Sequence, residues 1–522
     1  MTASHLADFL ERSAERWGGR TAVVDPAGST LTYAELNRRA DAVAACLVGA
    51  GVQQGDRVGL VLPKTTLSVV SVFGILKAGA AYVPVDYTAP AERGRQILTN
   101  CQVRAVIVDA SCLSFLPAAD AGPLSLVLVA GDVSTAAGQA EFCQLEEAIA
   151  RGGAAPSRPR ALTDLAYILN TSGSTGVPKG VTLTHENAVS FVDWCSSIFE
   201  PTEHDRFSSH APFHFDLSIL DVFVSIKHGA TLCLISEGLG KSPRELAAFI
   251  EQQRITIWYS TPSILTLLTQ FGQLESIDAS SLRIVLFAGE VFPVKHLRAV
   301  KQRWPAPVYY NLYGPTETNV CTFARIPHDV PDDRDEPYPI GFPCSHCDAL
   351  VLDESGVEVP EGEEGLLYIS GPSVFQGYWN REDVNATLFL HRDGKRWYNT
   401  GDVVRWRPDD GFIYLGRRDR MVKRRGYRIE LGEIERALYR HPQVREAAVV
   451  ALPDADAGVR IVACLTASEP TPPSMIAMKT FCAAHLPVYM SPDRFEWLDT
   501  LPHTSTDKTD YQALKRRLTG EA

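Results

Sequence analysis

No stretch of this 522-residue chain is apolar for long enough to span a bilayer. No block of lysine and arginine is long enough to follow a nucleic-acid backbone, and the formal net charge is −12. Neither a membrane nor a nucleic acid is therefore an expected partner. The segment Met1 to Asp8 lacks the basic start and apolar core of a signal peptide. The eleven cysteines follow no framework spacing, which fits a reducing cytoplasm. One pair, Cys344-Ser-His-Cys347, has no second pair nearby and reads as packing rather than zinc. Internal repeats and low-complexity tails are missing too. What remains is a globular composition, 45% hydrophobic and 21% charged, in a chain too long for one ordinary core.

The first third alternates helical and strand patterns. Thr32 and Glu35 make a capping box for a helix whose Leu36, Ala40, Val43 and Leu47 share a face. Val58–Leu62, Ala105–Val108 and Leu126–Val129 read as buried strands, and Leu67–Ala78 as a helix apolar nearly all round. Between Gly152 and Arg160 the composition is that of a surface linker. The rhythm resumes at Ala230–Ile235, Ile255–Tyr259 and Leu282–Phe287, and strands spaced by helices favour parallel βαβ sheets. After Gly365 come shorter strands and turns, and Gly416–Arg420 resembles a boundary. The last hundred or so residues suffice for a small α+β domain.

Three segments stand out chemically. In Leu165 to Gly180 a strand runs into Thr171, Ser172, Gly173, Ser174, Thr175 and Gly176, where hydroxyls and backbone N–H groups can meet an anion. Lys179 adds a mobile positive charge, but its spacing and the following Gly180 do not fit Walker A. In Tyr310 to Glu317 a Gly314-Pro315 turn presents Thr316 beside Glu317, a natural magnesium position, with Tyr313 offering a flat face. In Tyr398 to Asp402 an aspartate after a Thr-Gly turn can accept both ribose hydroxyls, with Arg417 reinforcing them or contacting phosphate. A further stretch, Gly416 to Glu435, carries arginines that a solvated face explains and glycines that it does not.

In order and approximate spacing these segments resemble the adenylation domains of nonribosomal peptide synthetases, a branch of the adenylate-forming superfamily. The resemblance runs from Leu31-Thr-Tyr-Ala-Glu-Leu36 to Lys508 and includes Leu76–Asp86, Gly365–Tyr378 and Leu486–Met490. It implies an α/β fold: a large multi-sheet N-terminal domain over 1–418, with two βαβ-type sheets and a smaller β subdomain. A small, mobile α+β C-terminal domain over 419–522 follows, carrying the hinge at Asp419. By the same resemblance Lys508 bridges the substrate carboxylate and the ATP α-phosphate, and Thr316 and Glu317 complete the catalytic set. Glu317 holds Mg²⁺, Asp402 and Arg417 the ribose, and Tyr313 stacks on adenine beside Gly289, Glu290, Asn311 and Gly314. Lys423 and Gly426 serve the second half-reaction, facing a phosphopantetheine arm. Asp507 departs from the glycine the family usually carries before the lysine.

Asp216, in Phe215-Asp-Leu-Ser218, can pair with a substrate ammonium, which marks amino acids off from fatty or aryl acids. The resemblance maps the rest of the pocket to Leu217, Leu220, Tyr259, Leu286, Ala288, Leu312, Val320 and Cys321. This set is similar to that of stand-alone prolyl-activating enzymes that open pyrrole-forming pathways. L-Proline is the favoured substrate, with alanine or another small aliphatic residue second. The sequence shows no phosphopantetheine-attachment motif, so the expected acceptor is a separate carrier protein. An acyl-CoA synthetase is the nearest rival and has no use for Asp216; oxygen chemistry or a catalytically dead scaffold finds no support in these residues.

Overall fold

The computed structural model describes residues 5–118, 121–132, 140–171, 178–334, 336–418, 420–454, 458–469, 471–502 and 509–520. The two large sheets are built as the buried strands require. In the first, eight strands include Leu165–Thr171, Ala81–Pro84, Arg57–Val61, Ala105–Asp109, Leu126–Ala130 and Glu141–Gln144 side by side, all parallel. Lys179–Thr184 turns back antiparallel to Leu165–Thr171, so the glycine- and hydroxyl-rich loop joins two strands of a hairpin. In the second, nine strands include Thr21–Val24, Thr231–Leu234, Arg206–Ser209, Ile257–Ser260, Ile284–Ala288 and Val308–Tyr313, again parallel.

The helix Tyr33–Gly49 opens with the expected capping box, and the helix Thr66–Lys77 buries its apolar residues on every side. Both helices belong to a hydrophobic cluster that joins the two sheets. Lys77, at the end of the second helix, is almost fully buried because its ammonium is held by Asn37 at 2.8 Å and Asp41 at 2.5 Å. A five-stranded antiparallel sheet, including Glu364–Ser370, Lys395–Arg407 and Gly411–Arg417, forms the smaller β unit. The C-terminal domain carries its own core, with Ile434, Val449, Ile461, Leu465 and Met478 between its sheet and helices. Among the described residues no helix is long and apolar enough to cross a membrane.

One local expectation needs correction. Thr400-Gly401-Asp402 is not a turn between elements but the middle of the strand Lys395–Arg407, where Gly401 takes φ +75° and the register slips beyond Val403. Gly416 and Arg417 close the strand Gly411–Arg417, with Arg417 paired opposite Asp402. The fold matters for function through one rule: in parallel sheets, loops at the carboxyl ends of strands make the site. Leu165–Thr171, Arg206–Ser209, Ile257–Ser260, Ile284–Ala288 and Val308–Tyr313 all deliver predicted site residues at or beyond those ends.

Packing of the two central helices is tight at Gly74, where an added Cβ would lie 2.6 Å from Val43 and 3.2 Å from the Ala40 carbonyl oxygen. Gly74→Ala should therefore lower stability by about 1–3 kcal/mol in denaturant unfolding, as overpacked cores do. An unchanged midpoint would show that the helices can part at no cost.

Candidate active site

The turn after Val308–Tyr313 is fixed by backbone geometry. Thr318 N–H donates to the Pro315 carbonyl at 2.9 Å, and a Cβ on Gly314 would lie 1.6 Å from the Asn319 carbonyl oxygen. Only glycine fits there, and the turn then sets Thr316 and Glu317 together. Thr316 Oγ1 donates to Asp216 Oδ2 at 2.8 Å, which ties this turn to the loop after Arg206–Ser209. Glu317 is completely buried and accepts from Tyr378 Oη at 2.6 Å and Arg428 Nη1 at 2.7 Å through the same oxygen, Oε1.

Between these loops lies a compact pocket of about 70 Å³. Asp216, Leu217, Tyr259, Ala288 and Val320 line it together with Thr171, Gly289, Gly314 and Thr316. Leu220, Leu286, Leu312 and Cys321 do not line it. They are at most 1% exposed; Leu220, Leu286 and Cys321 pack in the core behind the wall, while Leu312 borders the larger cleft beside it. Sequence reasoning missed His214, Phe215, Asn319 and Arg428, which also border the pocket, as do Tyr427 and Tyr489. Phe215, Tyr427, Arg428 and Tyr489 fall in stretches the sequence singles out but were given no role, because they converge from separate loops and, for the last three, from the C-terminal domain.

Charge in this pocket is unbalanced in a telling way. Burial pushes the Asp216 carboxyl above its ordinary value; the Thr316 hydrogen bond and the charge of Lys423 offset this only partly. No ion pair reaches Asp216 among the described residues. Glu317 is the opposite case: burial pushes it up, but Arg428 and the Tyr378 hydroxyl prevail and hold it below the usual carboxylate range. Burial, helped by Arg428, lowers the Lys179 ammonium, which sits 5.7 Å from the Tyr378 ring centroid. Thr171 Oγ1, His214 Nε2 and Glu317 Oε2 are buried with no hydrogen-bond partner among the described residues. Each such orphan costs about 1–3 kcal/mol unless something binds it, and all three stand at this pocket or its floor.

A larger cleft of about 940 Å³ opens beside the pocket. Gly289, Glu290, Asn311, Tyr313 and Arg417 line one side, and Lys423, Leu452 and Lys515 of the C-terminal domain line the other. Lys423 Nζ lies 5.3 Å from the Tyr313 ring centroid. Asp402 is buried behind Tyr313, whose hydroxyl donates to it, and Arg417 Nη1 lies 3.1 Å from its other oxygen. Asn311 donates to the Pro339 carbonyl at 2.9 Å. Ser172, Gly173, Ser174, Thr175, Gly176, Asp419 and Lys508 lie outside the described residues.

The C-terminal domain closes over the pocket by backbone contact. Gly426 has φ +80°, and a Cβ there would meet Thr261 at 2.5 Å and Phe215 at 2.7 Å. Its N–H donates to Glu290 Oε1 at 3.1 Å, while Ser263 N–H and Oγ donate to Glu290 Oε2. Glu290 thus joins the two domains rather than merely flanking a base.

Comparison with known proteins agrees with this geometry. The family described as "AMP-binding enzyme" matches residues 10–379, and "AMP-binding enzyme C-terminal domain" matches residues 433–508. An L-proline–[L-prolyl-carrier protein] ligase of Pseudomonas fluorescens is 40% identical over 517 residues, covering 99% of each chain. The protein of the same description from Streptomyces coelicolor is also 40% identical, over 93% of this chain and 91% of its own. The crystal structure of the Vibrio cholerae adenylation domain AlmE, in complex with glycyl-adenosine-5′-phosphate, superposes with a TM-score of 0.83. It is 25% identical and covers 100% of this chain and 98% of its own.

Asp216 gives a direct test of the electrostatics. A carboxyl raised on folding destabilises the ligand-free protein increasingly as pH climbs above its unfolded value, and the cost is complete above its folded value. Asp216→Asn should therefore be more stable than the parent at pH 8, with the advantage shrinking toward pH 4 in thermal unfolding. A less stable variant at pH 8 would mean the carboxylate is already well paired.

Proposed function

Because the chain belongs to the AMP-binding enzyme family, we propose that it activates L-proline as prolyl-AMP and passes the prolyl group to the thiol of a separate phosphopantetheinyl carrier protein. The observation that carries the reading is Asp216: a half-buried carboxylate at the wall of a compact pocket, hydrogen-bonded to Thr316 and with no ion pair among the described residues. A substrate ammonium supplies the missing charge, and proline's compact ring suits a space bounded by Leu217, Tyr259, Ala288 and Val320. Both curated relatives quoted above carry the prolyl-ligase description at near full length.

In the first half-reaction the proline carboxylate attacks the α-phosphorus of ATP in line and pyrophosphate leaves. Asp216 fixes the amine, so the carboxylate points toward the cleft that holds Tyr313 and Arg417. Lys508 takes the role of the ammonium between carboxylate and phosphate, and the Thr171–Gly176 loop with Lys179 that of the polyphosphate cradle. Positioning and charge neutralisation supply most of the rate. The orphaned, buried Glu317 Oε2 beside Thr316 fits a hard divalent cation. Magnesium bound there would offset polyphosphate charge. In this pose Arg428 occupies Glu317 Oε1, so another cation already serves the same carboxylate.

The second half-reaction suits the pose described. Gly426 lies against the pocket wall with Asp419 as the joint between units 1–418 and 419–522; the carrier's thiol, losing its proton, attacks the prolyl carbonyl, the acyl–phosphate bond breaks, and AMP leaves as the thioester forms. Eleven free cysteines support a reducing, cytoplasmic setting. A prolyl thioester is a starting unit for pyrrole-type products, through ring oxidation by another enzyme.

Exchange of radiolabelled pyrophosphate into ATP, driven by a panel of amino and fatty acids, tests the assignment. L-Proline should give the highest kcat/KM, ahead of alanine, and fatty acids none; a preference for an acid without an amine would overturn it. Lys508→Ala should cut exchange at least about a hundredfold, the loss expected for one oriented charged group, while loading of the carrier from pre-formed prolyl-AMP survives. Equal loss of both half-reactions would remove Lys508 from its role.

A further inference from the structure

A second charged contact joins the two domains away from the chemistry. Arg93 lies in the helix Ala91–Asn100 of the large domain, and Glu433 lies in the helix Leu431–Leu438 of the C-terminal domain. Their side chains form an ion pair between residues 340 positions apart in sequence. It is nearly dry, with Arg93 13% exposed and Glu433 5%. Neither residue borders the compact pocket or the nucleotide cleft.

Arg93 does more than meet a carboxylate. Burial lowers its guanidinium, but Tyr489 and Glu433 outweigh that and raise it above the usual arginine value. The Tyr489 side chain lies within its electrostatic reach. Tyr489 stacks on Tyr427 with ring centroids 3.9 Å apart and planes at 8°, and Tyr427 stacks on Phe215 at 5.7 Å and 16°. Phe215 directly precedes Asp216. A continuous stack therefore leads from the ion pair to the pocket wall, and every step crosses or borders the domain interface.

We propose that Arg93 and Glu433 are a positioning pair for the carrier-loading half-reaction, holding the C-terminal domain in this pose and contributing nothing to adenylate formation. The pair spans two domains, so rotation at the hinge breaks it. Once the domains part, Arg93 is a surface residue of the large domain and no longer needs a partner. Its free energy therefore counts in one pose only. The proposal rests on the two-step reading above.

The test uses the full-length protein as Arg93→Glu, Glu433→Arg and the double variant with the charges exchanged. Pyrophosphate exchange with proline reads the first step, and single-turnover loading of a phosphopantetheinylated carrier from pre-formed prolyl-AMP reads the second. Each single variant should keep exchange within about twofold and lose loading by about tenfold or more, because a buried charge faces a like charge. The double variant should recover loading to within about threefold, the mark of direct coupling. Exchange lost in parallel with loading, loading unchanged in the single variants, or no recovery in the double variant would each overturn the proposal. Fluorescence energy transfer between labels on the two domains reads the docked population with no substrate present. It should fall in the single variants and return in the exchange, so the pair stands or falls even if proline proves to be the wrong substrate.

Discussion

Two carboxylates with unequal partners, Glu317 fully buried and Asp216 half-buried, organise this molecule. Glu317 and Asp216 lie on adjoining loops, bridged by the Thr316 hydroxyl. Glu317 is fully buried and has a cation: Arg428, from the other domain, reaches it at 2.7 Å. Asp216 is half-buried and, among the described residues, has no ion pair, only the Thr316 hydroxyl and the more distant charge of Lys423. Removing one partner from a buried pair like Arg428–Glu317 costs about 3–5 kcal/mol, so that contact is a substantial part of what docks the C-terminal domain. The unbalanced partner, Asp216, is where an external cation gains most.

The same contrast explains why the interface between the domains is also the active site. Gly426 approaches Phe215 and Thr261 so closely that no side chain fits, and its N–H meets Glu290, itself fixed by Ser263. Tyr427 covers Phe215, the neighbour of Asp216. The small domain is thus not an appendage that happens to touch the large one. It supplies one wall of the pocket, one cation to its floor and, through Glu433, a clamp on its flank. A catalytic device built this way can exchange walls by rotating one domain, with the acid and its amine left undisturbed on the other.

The amino-acid sequence disclosed the scaffold well and the interface poorly. Buried strands such as Ala105–Asp109 and Leu126–Ala130 announce themselves by continuous β-branched and leucine runs, and the helix from Tyr33 by its Thr32–Glu35 box. Local chemistry also revealed the turn at Gly314-Pro315, since the constraint lies in adjacent residues. Asp402 is a candidate by its order in the chain, but its place inside a long strand was hidden, because a glycine at positive φ serves a bulge as readily as a turn. Leu220 and Leu286 looked like pocket lining and lie in the core instead, a distinction that depends on which way a helix or strand faces. Arg93 carried no signal at all, and Arg428 and Tyr489 lay in recognised stretches without any role of their own. Their meaning comes from partners hundreds of residues away or in another domain.

The central claim is that Asp216 recognises an ammonium, and calorimetric titration can isolate it. L-Proline and cyclopentanecarboxylate share a ring and a carboxylate and differ in the amine. With the parent protein, proline should bind at least about tenfold more tightly, the least expected for a buried charge pair gained, and Asp216→Asn should erase the difference by weakening proline alone. Equal affinities in the parent, or a preference for proline that survives the substitution, would contradict the account.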